Sequence, residues 1–158
     1  MRRGQVRRGF TLIEVVVVLF VLAVAMAVGI PAIGRGADGL RVRAEAASVA
    51  NFLRAAREQA VTRNRAYEVR VDPEAGVMVL MSMSGAAGTK DGGTVQATRR
   101  LAAPVRIEPD PPLRRTVTFS PDGLSSGGRF RVEAPGPRVY VVTVDPITGR
   151  VVTRRGEL

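Results

Sequence analysis

Apolar residues along this 158-residue chain follow three successive patterns. From Phe10 to Ile33 the run is almost unbroken: Glu14 is its one charged residue. As a helix rising about 1.5 Å per residue, this stretch would reach about 36 Å, enough to cross a hydrocarbon layer of about 30 Å. From Leu40 to Arg63, Val42, Ala46, Val49, Leu53, Ala56 and Ala60 recur at alternating four- and three-residue spacing. That period predicts an amphipathic helix with one face packed on a sheet, stopping near Asn64. Between the two helical stretches lie Gly29, Pro31, Gly34, Gly36 and Gly39. Proline removes a helix hydrogen bond and each glycine costs about 1 kcal/mol relative to alanine, so a helix kink at Pro31 and a bent or partly melted linker are expected.

After Arg65 the period shortens to two. Tyr67, Val69 and Val71 alternate with Glu68 and Arg70, and Asp72-Pro-Glu-Ala-Gly76 turns the chain into Val77 to Met83. Further strands are expected at 105–108, 115–119, 129–133, 139–144 and 150–154. Val139 to Val144, apolar on both faces except for Thr143, reads as an interior strand. Residues 84–96, SGAAGTKDGGTVQ, read as a polar, glycine-rich loop. One long N-terminal helix followed by antiparallel strands predicts an α+β architecture, a β-rich head on a helical stalk.

Composition narrows the chemistry. With five Phe, two Tyr and no Trp, and with Phe10 and Phe20 in the N-terminal run, the head must build its core mostly from Val, Leu and Ala. Cysteine and histidine are both absent, which removes disulfides, thiolate chemistry and the commonest general base and metal ligand. A Ser–Lys dyad would have to use Lys90, the sole lysine, which lies in the polar loop. Asp72, Glu74, Asp110, Asp122 and Asp145 each adjoin a proline and read as turn formers, without calcium-loop spacing. Ser125-Ser-Gly-Gly128 lacks the lysine of a phosphate loop. The chain therefore reads as non-enzymatic, with no catalytic residue, metal or cofactor. Net charge is +10, almost all from arginine, and Arg2, Arg3, Arg7 and Arg8 stand ahead of Phe10 with no acid among them. Arginines before the apolar run predict a cytoplasmic N-terminus.

Three readings fit the N-terminal segment. A secretory signal peptide would use Ala25-Met26-Ala27 as its cleavage site. A signal anchor would keep the whole run. Neither gives Glu14 a purpose, although a carboxylate at mid-bilayer costs about 2.5–3.5 kcal/mol and usually has a partner. The third reading starts from the junction Arg7-Arg8-Gly9-Phe10-Thr11-Leu12-Ile13-Glu14, which closely resembles the class III signal of type IV pilins and type II secretion pseudopilins. The resemblance implies that a prepilin peptidase cuts between Gly9 and Phe10, leaves the apolar segment attached and methylates the new amine of Phe10. It further implies that Glu14 serves subunit assembly by pairing with the terminal amine of a neighbouring subunit. Pro31 also stands where this family commonly carries a proline.

The C-terminal third narrows the resemblance. Phe119-Ser-Pro-Asp-Gly123, Ser125-Ser-Gly-Gly128 and Thr148-Gly-Arg-Val151, in that order, are similar to the GspH/FimT-type minor pseudopilin domain. The implied organisation is a removed leader at 1–9, a transmembrane and assembly helix at 10–33, a kinked linker and amphipathic helix at 34–64, and a periplasmic β-rich head at 65–158. The implied function is a structural subunit of a type II secretion pseudopilus. Its partners would be the prepilin peptidase, the inner membrane and other pseudopilins. An alternative is a DNA-binding minor type IV pilin, since some FimT-type relatives bind DNA through a C-terminal Gly-Arg-x-Arg motif. Here Gly149-Arg150-Val151-Val152 has valine in place of the second arginine, and Arg154 and Arg155 come later. Nucleic-acid contact would then fall to Arg150, Arg154 and Arg155.

Overall fold

The structure, a computed structural model, describes residues 11–83 and 93–156, with the side chains of residues 27–38 outside the description. One long helix, α1 (Leu12–Thr62), precedes eight strands: β1 (Tyr67–Asp72), β2 (Val77–Ser82), β3 (Thr94–Arg100), β4 (Arg106–Pro109), β5 (Thr116–Phe119), β6 (Gly128–Glu133), β7 (Val139–Val144) and β8 (Val151–Gly156). The chain divides into two units, one ending at Ala37 and one beginning at Asp38. The backbone stays helical through Gly29, Pro31, Gly34 and Gly36, so the partly melted linker is not found. Helix propagating from both flanks outweighs these local propensity deficits. The expected kink at Pro31 falls among the residues whose side chains lie outside the description.

The second half of α1 shows why its sequence is periodic. Val42, Ala46, Val49, Leu53, Ala56 and Ala60 are all buried, joined by Ala50. The helix stops where Asn64 adopts a left-handed φ of 48°. There the Asn64 amide donates to the Val61 carbonyl at 3.3 Å and the Arg65 amide donates to the Ala60 carbonyl at 3.1 Å. This pair of bonds satisfies carbonyls that a helix end otherwise leaves orphaned, and asparagine tolerates the conformation.

The strands form two four-stranded antiparallel sheets, in the orders β3-β2-β1-β5 and β4-β6-β7-β8. Register aligns the core-facing positions in rows. Leu80, Val69 and Val117 face one another across the first sheet, and Ile107, Val132 and Tyr140 across the second. Both inner faces and the buried stripe of α1 join in one core, with Tyr67, Phe119 and Phe130 its largest fully buried side chains. The seven expected strands are found within two residues of their expected ends, and β7 lies in the interior of its sheet.

β3 corrects the expectation of a loop running to residue 96. Its inner-facing positions are Ala97, opposite Leu80, and Arg99, opposite Met78. No residue of β3 is buried, so the strand carries no alternating apolar signal. Backbone pairing with β2 holds it, and Arg99 reaches back to Glu45 of α1 at 3.3 Å.

Candidate functional site

The N-terminal segment begins with a helix cap. Thr11 precedes the first residue of α1, and its carbonyl accepts the Glu14 amide at 3.1 Å while its hydroxyl lies 3.4 Å from the same nitrogen. Threonine at the cap with glutamate three residues on is the capping-box pattern, and a carboxylate in the first turn also complements the helix dipole. Glu14 thus has a local reason to occupy its position, which the resemblance alone does not show. From Thr11 to Met26 every residue is exposed, with Leu12 at 83% and Phe20 at 69%. A helix apolar on all sides and covered on none needs lipid or other helices around it. Gly9 and Phe10, the expected processing residues, lie outside the described residues. Among the described residues no helix is long and apolar enough to cross a membrane; the run expected over 10–33 is fully described only over 11–26.

The turn motifs of the C-terminal third converge on one place. In Ser120-Pro-Asp-Gly123 the Gly123 amide donates to the Ser120 carbonyl at 3.0 Å. The next residues stitch the sheets together. The Ser126 amide donates to the Thr118 carbonyl at 2.9 Å, the Ser126 hydroxyl accepts the Thr118 amide at 3.0 Å, and the Ser125 hydroxyl donates to the Asp145 carbonyl at 2.9 Å. Asp145 in turn shapes the β7–β8 connection: its carboxylate accepts the Thr148 amide at 2.8 Å, the Thr148 hydroxyl at 2.9 Å and the Ile147 amide at 3.0 Å. The Thr148 amide, then its hydroxyl, hold this carboxyl below its ordinary value, because they stabilise the charged form. Gly149 closes the turn at a φ of 62°. A Cβ there would overlap the Gly123 carbonyl oxygen and lie 2.7 Å from Arg57 Nε. The motif residues that carry the family resemblance are therefore structural, joining two turns to α1.

The arginines expected near the C-terminus do come together. Arg150, Arg154 and Arg155 line one groove of about 540 Å³ with Arg129 and Arg131 of β6. Val152, at the position where the DNA-binding motif has its second arginine, lines it too. Arg129 and Arg131 share one face of β6, and the strand order β6-β7-β8 brings them beside β8. Arg129 pairs with Asp110 and Arg131 with Glu133, each at 3.6 Å. Among the described residues no cluster of His, Cys, Asp or Glu could hold a metal ion.

Comparison with known proteins agrees with this anatomy. Residues 45–149 match the family model described as Type II transport protein GspH, and residues 5–30 match the prokaryotic N-terminal methylation motif. Type II secretion system protein H of Xanthomonas campestris pv. campestris is 28% identical over 144 residues, covering 91% of this chain and 81% of that one. The minor pseudopilin EpsH from the type II secretion system of Vibrio cholerae has a similar fold, with a TM-score of 0.60 at 12% identity over 76% of this chain and 98% of that chain. The type IV minor pilin FimU of Pseudomonas aeruginosa matches with a TM-score of 0.57 at 15% identity, over 72% and 87% of the two chains. The DNA-binding alternative is not favoured by these matches. Carrying the methylation motif at its start and the GspH model over most of its length, on a pilin-like fold, the chain belongs to the GspH family of type II secretion pseudopilins.

Proposed function

We propose that this chain is a membrane-anchored minor pseudopilin that enters a pilus-like filament through the first half of α1, its head remaining on the periplasmic side. The observation that carries this reading is the union, in one chain, of a GspH head with an uncovered apolar helix headed by Thr11 and Glu14. Processing falls between Gly9 and Phe10, at the junction that the methylation motif spans. Cleavage would free an amine at Phe10, four residues from Glu14. A glutamate held among apolar helices is costly unless a cation offsets it, and the terminal amine of a neighbouring subunit is that cation. The same pairing makes the carboxylate a check on axial register between subunits. In this arrangement the chain spans the inner membrane once over residues 10–33, with its N-terminus in the cytoplasm, where the arginines ahead of Phe10 belong.

The test is crosslinking in cells that carry a complete type II secretion system. A photoreactive residue at Val17 or Leu22 should crosslink to other pseudopilins only when the remaining filament components are present. Crosslinking confined to lipid, or unchanged when the other pseudopilins are deleted, would refute membership of the filament.

A further inference from the structure

The second sheet has an outer face that neither the filament reading nor the core accounts for. Register sets Arg131, Val141 and Arg154 side by side across β6, β7 and β8, and sets Arg129, Thr143 and Val152 in the next such row. Neighbouring strands lie about 4.8 Å apart, so the backbones bearing Arg131 and Arg154 stand about 10 Å apart across Val141. Together these rows outline a channel along β7, floored by Val141 and Thr143 and walled by guanidinium groups. Arg150 and Arg155 extend its β8 side. Two carboxylates also line it, and both are engaged: Asp110 with Arg129, and Asp145 within its own turn. Arg150, Arg154 and Arg155 make no ion pair among the described residues, whereas Arg131 shares its guanidinium with Glu133 at 3.6 Å and leaves its buried Nε without a hydrogen-bond partner.

We propose that this channel docks an extended, carboxylate-rich segment of a partner protein. Guanidinium forks match carboxylates in bidentate geometry. In an extended chain successive side chains point to opposite sides. Carboxylates at neighbouring positions of a segment lying along β7 would therefore reach Arg131 on one wall and Arg154 on the other. The segment's backbone would meanwhile cover Val141 and Thr143. Nucleic acid fits this surface less well. No aromatic side chain lines the channel for bases to stack on. The proposal concerns the head and holds whether or not the chain enters a filament.

The experiment is fluorescence polarisation on the detergent-solubilised full chain, with labelled oligoglutamate and labelled mixed-sequence DNA as alternative probes. Oligoglutamate should bind saturably. Arg154→Glu and Arg150→Glu should each weaken it by about tenfold, as loss of a charge-assisted contact to a carboxylate would. Arg63→Glu, an exposed position beyond α1, makes the same change in net charge and should leave binding nearly unaltered. Absence of oligoglutamate binding, or equal weakening by Arg63→Glu, would overturn the proposal. Tighter binding of DNA with the same dependence on Arg150 and Arg154 would overturn it too, assigning the channel to nucleic acid.

Discussion

Arg57 donates from Nε to the carbonyl oxygen of Gly123 at 3.2 Å, tying α1 to a turn 66 residues further along the chain. Gly149, from the turn between β7 and β8, packs against both residues. Three elements thus meet where there is no room for another side-chain atom. Gly149→Ala should destabilise the chain by about 2–4 kcal/mol, combining the left-handed backbone penalty with displacement of a backbone carbonyl. Gly76 shares the φ of 62° but has nothing within 4 Å of its would-be Cβ, so Gly76→Ala should cost only about 1–2 kcal/mol. Urea denaturation of the two variants separates the contributions. Equal losses would mean that the junction does not constrain Gly149.

Arg57 itself is a second, independent probe of that junction. Arg57→Ala removes the donor to Gly123 and should cost about 1–2 kcal/mol by leaving a part-buried carbonyl without its partner. Because Arg57 and Gly149 are in contact, the double variant with Gly149→Ala should lose less than the two single losses combined. Strict additivity in denaturation midpoints would contradict the shared site.

Asp145 should give the head an acid-sensitive turn. Its carboxyl titrates below its ordinary value in the folded chain, so the folded state takes up this proton at lower pH than the unfolded chain does. The stabilisation is therefore complete above the unfolded value and is lost as pH falls through the folded one. Thermal midpoints measured from about pH 5 down to about pH 2 should fall more steeply for the native chain than for Asp145→Asn, which keeps an acceptor oxygen but cannot titrate. Identical slopes would show that the turn carries no such linkage.

Much of this anatomy was legible in the chain because it depends on local periodicity. The buried stripe Val42 to Ala60 follows one helical period, and Tyr67, Val69 and Val71 alternate as a half-buried strand should. Failures came where tertiary context replaced local signal. β3 has Ala97 and Arg99 at its inner positions, so its pairing with β2 left no alternating apolar mark. Pro31 and its glycines argued for melting, yet the helix continues through them. Tight turns were visible in Pro-Asp-Gly123 and Thr-Gly149, but their meeting at Arg57 depends on how both sheets close over α1. The arginine channel was half visible: β8 showed its own arginines, while Arg129 and Arg131 join them only through the non-local order β6-β7-β8.

Glu14 can now be tested for two separable roles. As the third residue of α1 it stands at the capping-box position behind Thr11, a position that glutamine fills as well as glutamate. As an assembly residue it must be charged. Glu14→Ala and Glu14→Gln should both insert in the membrane and both fail to co-purify with other pseudopilins. Normal assembly of Glu14→Gln beside a defective Glu14→Ala would assign Glu14 to helix capping alone.

Processing at Gly9–Phe10 is the decisive step, because it exposes the amine proposed to pair with Glu14. Intact-mass and N-terminal analysis of the chain, extracted from membranes of cells that contain a prepilin peptidase, addresses it directly. A chain beginning at N-methylated Phe10 is the predicted result, with Gly9→Val blocking the cut by placing a branched side chain at the scissile bond. A chain cut after Ala27, or one still carrying Met1 in the presence of active peptidase, would contradict the account.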